Sequence, residues 1–285
     1  MFQFNRKYMF MATGAGLVVT AVVQTIYSMI THQAMSATLP GLVLSLGLFV
    51  VVTAFAAVHF SKRATEDADA FISLYDDLCD PQSFVDQGKL LASGMTVPYT
   101  ASSSWFMSYY AQALLDVGVT QNAREIERAM YDSIAETSKT EEQAQIITNL
   151  VPLSLKVLGP EETLPIIETG IDLLKQGPQL KLAPVIAYLE NQRIIVDARI
   201  FGKADKLLPF YASVRADSSV PLRVRVEHTW DEARLHYQLG NVPAEKECLE
   251  YVTRFGNRLA LVKAARERLA VIHSSSEAVS AQESV

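Results

Sequence analysis

Apolar and polar positions alternate in two different regimes along this chain. Residues 8–61 contain no Asp, Glu, Lys or Arg, and within them Met9–Ile30 and Leu39–Phe60 are two long apolar runs. Beyond Lys62 the apolar positions recur every three or four residues. Examples are Ile126, Met130 and Ile134, then Val185 and Leu189, then Leu249, Val252 and Phe255. That spacing places one apolar stripe on each of a series of α-helices. No segment alternates apolar and polar residues between turn pairs, so no strand is expected.

Each apolar run meets the length of about 20 helical residues that a hydrocarbon layer of about 30 Å requires. The linker Thr31–Thr38 is short, polar and uncharged, which allows only an antiparallel hairpin. Pro40 opens the second run, where proline loses no helical hydrogen bond. The apolar core of a cleaved signal peptide is usually about 7–15 residues. The first run is longer, and a second run follows it at once. Arg6 and Lys7 precede the first run, Lys62 and Arg63 follow the second, and the linker has no cation. The sequence therefore predicts a two-span protein of the cell membrane with both termini cytoplasmic. In such a hairpin Gly14 and Gly16 would permit close helix approach, and Gln24 would hydrogen-bond within the hairpin or between copies of the chain.

Helix stops and starts are written clearly in the rest of the chain. Asp80-Pro81 reads as an N-cap followed by proline at the first helical position. Thr140-Glu141-Glu142-Gln143 reads as a capping box. Gly118, Gly159, Gly177, Gly202 and Gly240 read as C-terminal stops, and Pro160, Pro221 and Pro243 as starts. These signals divide the region into helices over 64–79, 81–93, 101–117, 121–137, 140–158, 160–176, 182–201, 203–217, 221–239, 242–255 and 257–273. The tail, Ser274–Val285, is rich in Ser, Glu and Ala and is expected to be disordered. The domain plan is thus 1–63 for the hairpin, 64–273 for a cytoplasmic helical region and 274–285 for the tail.

Four of the stops form a series. Gly118, Gly159, Gly202 and Gly240 stand roughly 40 residues apart, and each ends a long helix that a second helix follows after a short turn. A fixed period of helix pairs predicts an α-solenoid, in which neighbouring pairs bury each other's apolar faces. The last unit reads Ala233, Tyr237, Leu239, Gly240 and Asn241, then Ala244, Cys248, Tyr251 and Phe255. This resembles the tetratricopeptide repeat (TPR), whose first helix ends in a small residue, a Tyr and Leu-Gly-Asn. Ala111, Leu114, Gly118, Ala123 and Ala129 resemble a weaker copy, with Trp105 and Tyr109 upstream. The family repeat is about 34 residues; these units are longer, and 140–176 and 182–217 lack the signature. The resemblance implies a TPR-like superhelix whose concave groove binds a peptide or protein. It names packing positions and no reactive residue.

Mean hydropathy is +0.15 and 49% of residues are hydrophobic. Removing Arg6 and Lys7 from the 25 basic residues leaves 23 against 31 acids after position 61. That balance does not suit broad nucleic-acid binding, which needs a basic surface. Cys79 and Cys248 lie in no CxxC or Cys/His cluster, so neither a disulfide framework nor a structural zinc site is expected. Cys79 follows the apolar run Phe71, Ile72, Leu74, Tyr75 and Leu78 and reads as a small buried hydrophobe, with a reactive thiol as the alternative.

Some polar groups invite a chemical reading. His228, Glu232 and His236 are spaced by four and share a helix face, a set that could bind zinc or act as acid and base. The spacing departs from His-Glu-x-x-His, and with Arg225, Asp231 and Arg234 nearby as ion-pair partners the set reads first as a structural or solvated face. Glu190, Asn191, Gln192 and Arg193 interrupt an apolar helix and could line a partner groove. Arg215, Arg223 and Arg225 form a small basic group that could face lipid phosphates or an acidic partner. Ser102, Ser103 and Ser104 lack a GxSxG elbow and read as a loop and N-cap. No P-loop, GxGxxG or kinase signature is present.

The combined expectation is an all-α protein of bacterial inner-membrane type. A two-helix transmembrane hairpin would anchor a TPR-like α-solenoid, with the bilayer and an unidentified protein or peptide as partners. No catalytic residue, cofactor or metal is assigned. The alternative is a structural subunit of a larger membrane complex that contacts its neighbours through the hairpin. A metal-dependent enzyme built on His228, Glu232 and His236 is the third reading.

Overall fold

The computed structural model describes residues 11–13, 17–23, 25 and 39–283; these are all-helical, without a strand among them. The helices are α1 (Leu39–Asp76), α2 (Pro81–Ser93), α3 (Ala101–Asp116), α4 (Thr120–Glu136), α5 (Thr140–Val157) and α6 (Pro160–Lys175). They continue with α7 (Gln179–Ile200), α8 (Ala204–Ala216), α9 (Leu222–Gln238), α10 (Val242–Phe255) and α11 (Leu261–Glu283). The chain divides into two compact units, Met1–Ile72 and Ser73–Val285.

In the first unit the structure corrects the membrane expectation. Among the described residues, no helix is long and apolar enough to cross a membrane. This overturns the two-span localisation and the cytoplasmic placement of both termini that rested on it. The second apolar run is not a helix of its own. It is the first part of the 38-residue α1, which continues through Lys62, Arg63, Glu66, Asp67 and Asp69. Lys62 and Glu66 stand one turn apart at 4.0 Å. The linker 31–38 and the expected helix–helix contacts at Gly14, Gly16 and Gln24 lie outside the described residues.

In the second unit each helix from α2 packs on the next, and α3 also packs on α5, α5 on α7, and α9 on α11. The core follows the apolar stripes. Ile147, Val151, Ile167, Ile171, Leu174, Leu182, Leu189 and Val196 form one cluster across α5, α6 and α7. Each such side chain contributes about 1.5–3 kcal/mol by leaving water. Met130, Leu249 and Val252 are likewise fully buried. Within the stretch that resembles the repeat family, Ala233 is buried, whereas Tyr237 and Leu239 are more than half exposed.

Local chemistry explains the boundaries. The Asp80 carboxylate accepts from the Ser83 N–H ahead of α2, with Pro81 at the first helical position. Thr100 and Ser103 form a reciprocal capping box on α3, which accounts for the serine run. The capping box expected at Thr140 is absent, because Thr140 is already helical and Lys139 takes the cap position. Gln143 Nε2 instead donates to the carbonyls of Ile134 and Thr137, closing the end of α4. The last helix runs through Ser274 to Glu283, carried by the helix-favouring Ala, Glu and Gln of the expected tail.

The four glycines of the series all adopt positive φ: 84° at Gly118, 92° at Gly159, 61° at Gly202 and 69° at Gly240. An L side chain is strained there, so glycine ends each helix without steric cost. Two other residues share this backbone region, Cys79 at 49° and Asn257 at 47°. They belong to turns that clasp each other. Asn257 Nδ2 donates to the Leu78 carbonyl at 2.7 Å, and the Arg258 N–H to the Cys79 carbonyl at 3.1 Å. Arg258 also pairs with Asp80 at 3.1 Å. The turn before α2 and the turn before α11 are thereby joined.

Gly159 combines φ 92° with ψ 177°, a region essentially reserved for glycine. Nothing lies within 4 Å of a Cβ built there, so only the backbone resists substitution. Gly159→Ala is expected to destabilise the fold by about 1–3 kcal/mol in urea unfolding. Gly240→Asn, at a left-handed position that Asn tolerates, is expected to cost under about 1 kcal/mol.

Candidate functional site

A cavity of about 820 Å³ opens within the second unit, and the helices that line it alternate along the chain. Trp105, Tyr109, Gln112 and Asp116 come from α3, and Thr148, Asn149, Pro152 and Lys156 from α5. Tyr188, Gln192 and Arg199 come from α7, and Arg223, Glu227, His228, Trp230, Asp231 and Arg234 from α9. Each of these four helices is the one that ends at a left-handed glycine. Leu207, Phe210 and Tyr211 of α8, with Pro160 of α6 and Leu261 of α11, complete the wall.

At its floor lies a buried polar network centred on Arg223, which is only 4% exposed. The Arg223 guanidinium donates to Asp76 at 3.0 Å, to Gln112 at 3.4 Å and to Glu227 at 3.1 Å. It also stacks over Tyr75 at 4.4 Å and Tyr109 at 5.4 Å. The Tyr75 hydroxyl donates to Asp116 at 2.6 Å, and the Tyr109 hydroxyl to Asp76 at 3.3 Å. Lys156 closes the set by pairing with Glu227. Arginine suits this position, because its planar fork can satisfy several acceptors while its face packs on aromatic rings.

The local electrostatics separate the carboxyls. Burial pushes Glu227 up, but Lys156 and Arg223 outweigh it and hold the group at about 2. Burial raises Asp116, and Lys156 offsets only part of that. Higher in the cavity, Arg199 donates to the Tyr211 hydroxyl at 3.0 Å and to Asp231 at 2.8 Å. His228 is stacked against Tyr211 and set edge-on to Phe210, at 5.7 and 5.3 Å between ring centres. Burial lowers its pKa. Trp105, Gln192, Trp230 and Gln238 also line the cavity, and their indole and amide donors bond to nothing among the described residues.

The structure redistributes the residues singled out from the sequence. Of Glu190, Asn191, Gln192 and Arg193, only Gln192 lines the cavity; Glu190 pairs with Lys175 at 3.5 Å on the surface. Arg215, Arg223 and Arg225 make no basic patch. Arg223 is buried in the network, and Arg215 is held by Glu232 and Glu247. His228 faces the cavity, so the imagined triad with Glu232 and His236 does not assemble. Ser104 is buried against Asn149 at 2.9 Å, and Ser103 caps its helix. Cys79 and Cys248 are both buried free thiols, each pushed up to about 12 chiefly by burial.

Sequence reasoning missed Asp76, Tyr75, Asp116, Arg199, Glu227 and the role of Arg223. Asp76 and Arg223 are 147 residues apart, and nothing local in either segment marks them as partners. Comparison of the chain with protein-family models, with curated proteins and with solved structures returns no match.

Arg223→Met removes the centre of the network while keeping much of the apolar stem; it leaves Asp76 without its cation and Glu227 with Lys156 alone. It is expected to cost about 3–5 kcal/mol in chemical denaturation. The pH dependence follows from the carboxyls. The Glu227 pKa is lowered on folding, so its contribution is present above the ordinary carboxyl value of 4.5 and is lost as pH falls toward about 2. The raised Asp116 acts with the opposite sign, being most favourable at low pH and lost as pH rises through its shifted value. In Glu227→Gln the fall in urea midpoint between roughly pH 4.5 and 2 is expected to shrink relative to the parent.

Proposed function

We propose that the Ser73–Val285 unit is a non-enzymatic protein-interaction module. In this reading it is a TPR-like α-solenoid whose concave groove holds an extended segment of another protein. The supporting observation is the alternation of the lining. Four alternate helices, ending at Gly118, Gly159, Gly202 and Gly240, contribute side chains to one cavity. That is the expected behaviour of the first helix of each pair in a stacked array.

The chemistry of the wall agrees with a polypeptide ligand. Trp105, Tyr109, Tyr188 and Trp230 offer large, rigid apolar surfaces with polar edges, the side chains that dominate binding energy at protein interfaces. The amides of Gln192 and Gln238 and the two indole N–H groups remain open to backbone carbonyls of a ligand. Lys156, Arg199, Asp116 and Asp231 present both signs of charge, so the groove suits a mixed sequence better than a uniformly acidic or basic one. Pro152 has no N–H to give to the Thr148 carbonyl one turn earlier, and both residues border the cavity. That carbonyl is a ready acceptor for a ligand amide.

Selection of a displayed library of random peptides on the purified chain tests this reading. Peptides are expected to enrich on the parent and to lose about 30-fold or more in affinity on Trp230→Ala or Trp105→Ala, an anchor-sized loss of about 2 kcal/mol. Tryptophan fluorescence of the parent is expected to change on binding. No enrichment, or peptides that bind both variants as tightly as the parent, would rule the groove out.

A further inference from the structure

The face of α9 that turns away from the cavity, toward α10, carries a second cluster of chemically capable groups. Glu232, His236 and Cys248 bring one ligand atom each to within 4.8 Å of one another. Glu232 is 4% and Cys248 2% exposed. Their geometry is built by two helices. Glu232 and His236 are one turn apart on α9, with Nε2 of the imidazole 3.9 Å from Oε1 of the carboxylate. Cys248 reaches in from α10.

Two buried atoms here have no hydrogen-bond partner among the described residues. They are Oε2 of Glu232 and Nδ1 of His236. A buried polar atom left unsatisfied costs about 1–3 kcal/mol, and both belong to the same small cluster. The other nearby charges are Arg215 and Glu247. Arg215 lies 3.4 Å from Glu232 Oε1, 3.6 Å from the Cys248 sulfur and 3.4 Å from Glu247, whose carboxylate is largely exposed.

We propose that Glu232, His236 and Cys248 form a binding site for one divalent transition-metal ion of the zinc class. The set of one carboxylate, one imidazole and one thiolate matches the donors such ions prefer. Ligand bonds of about 2.0–2.3 Å place the donors of a tetrahedral ion about 3–4 Å apart, so the cluster must contract by about 1 Å. Glu232 and the Cys248 thiolate together neutralise a divalent ion. Arg215 then keeps Glu247 as its partner and leaves the thiol. Loss of the thiol proton to solvent accompanies binding. Three protein donors leave a fourth position for water. The site stands apart from the groove, because none of its ligands borders the cavity, and it does not depend on the peptide-binding reading.

The test is a titration of the purified full chain with zinc against a chromophoric chelator, repeated with cobalt(II) as a spectroscopic probe. One ion per chain is expected, with an intense near-ultraviolet band from thiolate bonded to cobalt. Cys248→Ser is expected to remove that band and His236→Ala to weaken zinc binding at least tenfold. Arg215→Gln leaves all three ligands in place and removes the competing cation, so it is expected to bind zinc several-fold more tightly. A parent chain that takes up no zinc in competition, a cobalt spectrum unchanged in Cys248→Ser, or an Arg215→Gln affinity equal to or weaker than the parent's would overturn the site.

Discussion

A single guanidinium, buried between helices that are far apart in the chain, organises the Ser73–Val285 unit. Arg223 on α9 reaches the last turn of α1 through Asp76 and the middle of α3 through Gln112. A cation in that position is tolerable only if every face is occupied. Carboxylates and an amide take its N–H groups, and two tyrosine rings cover its plane. The turns at Cys79 and Asn257 add a second clasp, between the start of the unit and the turn that precedes α11. Together the contacts tie the end of α1 and the turn after it to α3, to α9 and to the turn that precedes α11.

This constraint explains why the cavity wall is polar at its floor and aromatic above it. Glu227, which holds Arg223, also pairs with Lys156, and these two cations keep it ionised despite burial. Farther up, Arg199, Asp231 and Tyr211 repeat the pattern on a smaller scale. On the cavity wall the buried Nδ1 of His228 is unmatched, as are the indoles and amides that border open space. The ligating cluster of Glu232, His236 and Cys248 occupies the other face of the same helix. One helix therefore carries the closing ion pair, part of the groove and the proposed metal ligands, segregated by its own periodicity.

Helix positions were largely legible from the sequence, because glycine, proline and capping residues act locally. The stops at Gly118, Gly159, Gly202 and Gly240 coincide with positive φ, and the Asp80-Pro81 start appears as written. Thr140 misled, because a capping box and an interior threonine followed by a glutamine that folds back share the same letters. The apolar runs misled in another way. Their composition predicts two spans, whereas among the described residues no helix is long and apolar enough to cross a membrane. The site was barely legible. Gln192 could be found from a polar interruption in an apolar helix, but Asp76, Asp116 and Glu227 carry no local mark. Cys248 joined Glu232 and His236 only because α10 folds onto α9, which spacing along one helix cannot reveal.

Native-state hydrogen exchange in graded denaturant tests the closure most directly. If Arg223 ties the ends of the unit into one cooperative body, amides at 74–78 and at 226–230 will merge into a single opening transition with one free energy and one denaturant slope. Separate transitions, with residues 74–78 opening at lower free energy while 226–230 remain protected, would contradict it.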